Sequence, residues 1–91
     1  MLSQDYKLAK SILNQSIRKA EGSLGKKALL TLRLYELYGI CLREEGDYKR
    51  ALKTYEKISK LREKAQGFGN KETVACYYVK ASILVKLSRN T

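Results

Sequence analysis

Five lysines, Lys49, Lys53, Lys57, Lys60 and Lys64, recur at steps of four, four, three and four residues. On a helix of ~3.6 residues per turn this spacing lines the ammonium groups along one face. Such a strip concentrates positive potential and can draw in phosphates or an acidic protein surface. The same strip also serves as a solvated outer face that keeps a small protein soluble. Glu56 and Glu63 offset part of its charge as helical neighbours. The tyrosines of this stretch fall on the opposite, apolar side, so none is interleaved with the lysines for base stacking. Sequence-specific nucleic-acid readout is therefore not expected.

Other chemistry is scarce. The chain has no histidine, which removes the commonest general base and any Cys–His or Ser–His nucleophile. Cys41 and Cys76 stand 35 residues apart, with no further thiol or imidazole to complete a zinc site. Both sit among apolar neighbours and read as small, reduced core residues. Glu44 and Glu45 are adjacent, so on a helix they point apart and cannot serve as a paired acid and base. The segment GFGN, residues 67–70, lacks the flanking strand and glycine spacing of a nucleotide fingerprint and reads as a connector. No catalytic residue, metal site or cofactor is predicted, and the chain is not read as an enzyme.

The elements that position these residues follow from composition and periodicity. Ninety-one residues suffice for one small domain, expected to span 1–91. Proline is absent and helix-favouring Leu, Ala, Lys, Glu and Arg dominate, which points to an all-α chain. Nineteen basic against nine acidic residues give a formal charge of +10. That excess admits nucleic acid, acidic protein or an anionic surface as partner and selects none. The opening MLSQDYKLAK has no signal-peptide core. The most apolar stretch, 28–42, is interrupted by Arg33 and Glu36 and falls short of the ~20 residues a membrane span needs. The expectation is a cytoplasmic (intracellular) protein without a membrane span.

Four helices are predicted. The first, Gln4–Glu21, aligns Tyr6, Ala9, Leu13, Ser16, Ile17 and Ala20 on one face, and GSLG (22–25) stops it. The second, Lys26–Glu45, is apolar on nearly every side between Ala28 and Leu42, as a central helix should be. The third, Asp47–Gln66, presents Tyr48, Ala51, Leu52, Tyr55, Ile58 and Leu61, with Arg62 intervening among them. The fourth, Lys71–Ser88, is again apolar-rich, with Ser82, Lys86 and Arg89 on a polar side. Short joints imply antiparallel neighbours.

A step of 42 residues lays the chain on itself without a gap. It pairs Asp5 with Asp47, Tyr6 with Tyr48, Lys7 with Lys49, Ala9 with Ala51 and Glu21 with Glu63. It continues through Gly25/Gly67, Thr31/Thr73, Tyr35/Tyr77 and Leu42/Leu84, while Gly39 lands on Ala81. The chain is an internal repeat. Gly46 is placed to end one helix in a left-handed turn, and Asp47 to cap the next. Gly39, inside a helix, implies close approach by a neighbour, with Ala51 the expected opposite contact and Tyr48 and Tyr55 wedged above and below.

These residues resemble the tetratricopeptide repeat. Tyr35 stands at the family's first aromatic position and Gly39 at its small residue. Leu42 follows, then Gly46 and Tyr48 at the turn, and Ala51 and Tyr55 on the second helix. Glu63 takes the place of the closing proline, and the period of 42 exceeds the usual ~34, as in extended variants. A complete unit spans about 32–66. The first helix resembles the second half of a preceding unit, through Asp5, Tyr6, Ala9 and Leu13. The fourth resembles the first half of a following one, or a cap, through Tyr77, Ala81 and Leu84. Residues 8–17, LAKSILNQSI, are also similar to the helical-repeat region of phosphatidylinositol-kinase-like protein kinases, over that short stretch alone.

The resemblance implies an α-solenoid fragment of helix–turn–helix repeats acting as a protein-interaction scaffold. A groove would be lined by Arg33, Glu36, Leu37, Ile40 and Arg43 of the second helix and by Tyr78, Ser82, Val85 and Lys86 of the fourth. Its mixed lining suits an amphipathic helix or an apolar-anchored peptide, and Arg33, Arg43 and Lys86 favour acidic flanks. Glu36 and Ile40 stand where carboxylate-binding members of the family carry polar and basic groups, so no carboxylate clamp is expected. The alternatives are a basic domain that binds nucleic acid or an anionic surface through the lysine strip, and a structural spacer from a longer array. Self-association through the first and fourth helices is a further possibility.

Overall fold

The computed structural model describes residues 3–89. Four α-helices follow one another: α1 Ser3–Leu24, α2 Leu29–Glu44, α3 Tyr48–Gln66 and α4 Lys71–Arg89. No strand occurs among the described residues. Each helix packs chiefly on its neighbour in sequence, α1 on α2, α2 on α3 and α3 on α4. The Cα envelope measures 36 × 31 × 16 Å. This is the flattened shape of an open stack, in which the first and last helices are end members.

The joints show how sequence sets the boundaries. At Gly46 (φ 86°) the N–H donates to the Arg43 carbonyl at 3.0 Å, and the next N–H, Asp47, donates to the Leu42 carbonyl at 2.9 Å. This pair of bonds satisfies carbonyls that α2 would otherwise leave bare, and it needs a left-handed residue that glycine supplies without strain. The Asp47 side chain then accepts from the Arg50 N–H at the start of α3. Asn70 does the same for α4, accepting from the Glu72 N–H at 2.9 Å. The first joint departs from expectation. GSLG does not stop α1 at Glu21; the helix runs on to Leu24 and ends against Gly25 (φ 90°). An exposed Gly22 lowers helix propensity by roughly 1 kcal/mol, too little to end the helix, which closes instead where the Gly25 N–H donates to the Glu21 carbonyl at 3.1 Å. Lys26 and Lys27 form the turn instead, so α2 starts later, at Leu29, without a side-chain cap.

The core joins Ile17 of α1, Leu32, Tyr35 and Leu42 of α2, Ala51, Tyr55 and Ile58 of α3, and Cys76 and Ile83 of α4. Both cysteines are free; Cys76 is buried and Cys41 half-buried. Burial raises both thiols above their ordinary pKa, which suppresses the reactive thiolate.

Gly39 is buried, and a neighbour does come close, but the neighbour differs from the one expected. A Cβ placed there would lie 2.8 Å from the Tyr55 ring and 3.3 Å from the Thr54 methyl group. Ala51 is buried without being among the nearest groups. The small residue on α2 makes room for an aromatic ring on α3, not for a second small residue.

The repeat is visible in contacts as well as in sequence. The Tyr35 hydroxyl donates to the Glu21 carboxylate, and the Tyr77 hydroxyl donates to the Glu63 carboxylate. Both residues of each bond are carried onto the other bond by the step of 42. Thr31 and Thr73, likewise paired by that step, are both fully buried. The α1–α2 and α3–α4 pairs are two copies of one packing solution.

Candidate partner-binding groove

Helical periodicity turns Glu36, Ile40 and Arg43 to one side of α2 and Ala75, Cys76 and Val79 to one side of α4. The two rows line a cavity of about 180 Å³, and the Tyr55 ring of α3 also lines it. Tyr55 is held by its hydroxyl, 3.5 Å from the Glu36 carbonyl, and burial pushes its pKa up to about 12. Ile40, Ala75 and Val79 supply apolar walls, and Arg43 supplies a cation at one end.

Glu36 is not a free acid. The buried Arg62 guanidinium donates to its carboxylate through Nε, at 2.8 Å, and through Nη2. Arg62 Nη1 reaches Glu72 of α4 at 2.6 Å and Gln66 at 2.9 Å. One guanidinium thus ties α2, α3 and α4 together below the groove. Its planar fork of donors suits this, since a lysine could not hold two carboxylates in fixed directions. One cation between two carboxylates leaves a local charge of −1, which disfavours an incoming carboxylate at this end. Arg43, about two turns further along α2, has the opposite effect.

The lysine strip lies elsewhere. Lys49, Lys53, Lys57, Lys60 and Lys64 are all exposed, on the side of α3 opposite the buried Tyr55, Ile58 and Arg62. The Lys57 ammonium sits 4.5 Å from the centre of the Tyr35 ring. With Asn14, Arg18, Glu21 and Thr54, Lys57 lines a separate depression between α1 and α3. The strip and the groove are distinct surfaces.

The model of the tetratricopeptide repeat family matches residues 1–64. The chain belongs to the tetratricopeptide repeat family. No curated protein and no solved structure matches the chain significantly. Tetratricopeptide repeats generally mediate protein–protein interaction and are typically non-catalytic. Among the described residues no cluster of three or more His, Cys, Asp or Glu is placed to hold a metal ion. No helix among them is long and apolar enough to cross a membrane.

Within this tetratricopeptide repeat, the residues singled out for the groove separate into groups. Glu36, Ile40 and Arg43 line the α2–α4 cavity. Arg33 and Leu37 are exposed on α2 and do not line it. Tyr78, Ser82, Val85 and Lys86 line a second depression, of about 400 Å³, on α4 with Ala81 and Arg89. Arg43, Ser82 and Lys86 meet in a third, beside Glu44 and Tyr48, and so connect the other two. Ala75 and Val79 were not among the expected residues, although the step of 42 from Arg33 and Leu37 leads to them. Arg62 was passed over as an interruption of an apolar face. Its position, four residues after the buried Ile58 and seven after Tyr55, already turned it inward, where a cation requires acidic partners.

Proposed function

We propose that this tetratricopeptide module binds a partner protein through the groove between α2 and α4, taking an amphipathic helix or an extended peptide with apolar anchors and acidic flanks. The observation that carries this is the cavity whose apolar walls, Ile40, Ala75 and Val79, stand beside Tyr55 with Arg43 at one end. Lys86, which lines the adjoining depression together with Arg43, adds a second cation for an acidic flank. We also take α4 as part of the module, within a single domain spanning 1–91 that holds one full unit, about 32–66, and a half unit on each side. Its support is the Tyr77–Glu63 bond, which repeats Tyr35–Glu21 although α4 lies beyond the stretch the family model matches. Residues 1, 2, 90 and 91 lie outside the described ones.

A display library of short peptides, selected on the parent chain and counter-selected on Ile40→Asp, tests the groove. Enrichment of peptides with spaced apolar anchors beside acidic residues, lost on Ile40→Asp and little changed by salt, is the expected result. Exposure of all five lysines favours a second reading, docking of nucleic acid or an anionic surface. In that case a fluorescent oligonucleotide binds with a steep log–log salt dependence and is released by charge reversal at Lys53 and Lys60, while Ile40→Asp has no effect. If the library yields no enrichment and the oligonucleotide does not bind, the spacer reading stands in place of both.

A further inference from the structure

The two end helices leave bare the faces that their repeat partners bury. On α2, Leu32 and Leu42 belong to the core shared with Ala51, Tyr55 and Ile58 of α3, and Gly39 lies against Tyr55 and Thr54. A step of 42 carries these three α2 residues onto Val74, Leu84 and Ala81 of α4. There Val74 is 52% exposed, Leu84 is 50% exposed, and Ala81 is exposed too.

The α3 side of the same interface has its own counterpart. Arg50 reaches the Tyr38 hydroxyl of α2 at 3.2 Å, and the Thr54 methyl group faces Gly39. The step backward gives Leu8 and Ile12 on α1, 63% and 54% exposed. Both covering residues are polar on α3 and aliphatic on α1, so the bare face of α1 is the more apolar of the two.

Two of the pairs that change between the levels compensate one another, while the third, Arg50 with Tyr38, becomes Leu8 with Lys80, an aliphatic side chain beside a cation. Gly39 lies beneath the Tyr55 ring; the corresponding pair is Ala81 with Leu13, a methyl group gained on one side and a ring lost on the other. The Arg62–Glu36 ion pair corresponds to Ala20 with Tyr78, so docking there strands no charge.

From this match we propose that a second copy of the chain docks its α1 on α4, repeating between molecules the interface that α3 makes with α2. The two faces are different surfaces, so the contact is heterologous and runs head to tail, which gives open chains and not a closed dimer.

Light scattering and sedimentation velocity on the full chain, over a dilution series, test this. The expected result is a mass that rises with concentration past that of a dimer. Ile12→Asp blocks one end and Leu84→Asp the other, and each variant alone stays monomeric. Mixed in equal amounts, the two variants form a dimer and nothing larger, because one intact pair of ends remains. Both sites are half exposed, so helicity by circular dichroism should match the parent. Leu8→Glu and Val74→Glu give the same pair of readings if either first variant unfolds. A parent chain monomeric up to its solubility limit overturns the proposal. So does a mixture that stays monomeric, or an Ile12→Asp variant that still self-associates, which would mark a symmetric α4–α4 contact. Ile40→Asp leaves the association intact, so failure here and failure of the groove are told apart.

Discussion

Leu42 on α2 and Leu84 on α4 are the same residue at the same place in the repeat, yet the first is 1% exposed and the second 50%. Their helices begin with the same buried threonine and hold the same tyrosine–glutamate bond. What differs is the neighbourhood. α2 is packed on both sides, by α1 and α3, while α4 packs chiefly on α3 and leaves Val74, Leu84 and Val85 exposed. Burial here is a property of position in the stack, not of the residue, as nearest-neighbour stacking predicts.

The sharpest test of that comparison is the paired truncation. Leu42→Ala removes a buried side chain and leaves a cavity, with an expected loss of about 3 kcal/mol. Leu84→Ala should cost less than about 0.5 kcal/mol, as exposed substitutions do. Urea unfolding of both variants in dilute solution measures the difference. Equal losses would show that α4 is covered even in the monomer.

Of similar size is Arg62→Ala, at about 3 kcal/mol, near the lower end of the range for breaking a buried ion pair. The lower end applies because Glu36 and Glu72 keep 23% and 47% of their side-chain surface exposed and can recover hydration. Arg62→Lys should recover only part of the loss, since an ammonium cannot serve both carboxylates. The step of 42 turns this arginine into Ala20, so Ala20 variants offer no equivalent effect. Equal stability of Arg62→Ala and the parent would break the assignment of Arg62 as the tie between α2 and α4.

Gly39 and Ala81 give a third contrast. At Gly39 even a methyl group meets the buried Tyr55 ring at 2.8 Å. Gly39→Leu is expected to cost about 3 kcal/mol by overpacking. Gly39→Ala should cost less, because alanine gains roughly 1 kcal/mol of helix propensity. Ala81→Leu, on the exposed side of α4, should be nearly neutral for folding. Thermal unfolding of the three variants ranks them.

Much of this was legible in the chain itself, for reasons that differ between elements. The helices follow from local periodicity and capping, and Gly46 and Asp47 carry their own turn chemistry. The step of 42 even paired Glu21 and Tyr35 with Glu63 and Tyr77, without showing that the members of each set bond to one another. Gly39 announced a close approach, but not whose: a missing side chain reports that space is filled, and only the packing of α3 shows that a ring fills it. The end of α1 escaped because two glycines, Gly22 and Gly25, competed, and residue type alone does not say which of them takes the left-handed turn that Gly25 adopts. Arg62 escaped because its two acids come from helices 26 residues upstream and 10 downstream. In the groove, Glu36, Ile40 and Arg43 were named through the family resemblance, together with Arg33 and Leu37, which do not line the cavity, while the lining by Ala75 and Val79 depended on how closely α4 approaches α2.

The smallest effect concerns the bond that both levels of the repeat share. Tyr35→Phe and Tyr77→Phe each delete one phenol that donates to a glutamate 14 residues earlier. A hydrogen bond to a charged acceptor contributes about 1.5 kcal/mol or more when buried, and partial exposure lowers that here. Tyr35 is the more buried of the two, and Lys57 lies 4.5 Å from its ring centre, against 5.9 Å for Lys80 and Tyr77. In water-poor surroundings a stranded carboxylate costs more, so Tyr35→Phe should lose about 1 kcal/mol and Tyr77→Phe about 0.5 kcal/mol. The two bonds share no partner, so the double variant should show the sum within about 0.5 kcal/mol. If the order reverses, the outer bond is the stronger, and the open end of the stack would be held by its polar contacts more than by the core beneath them.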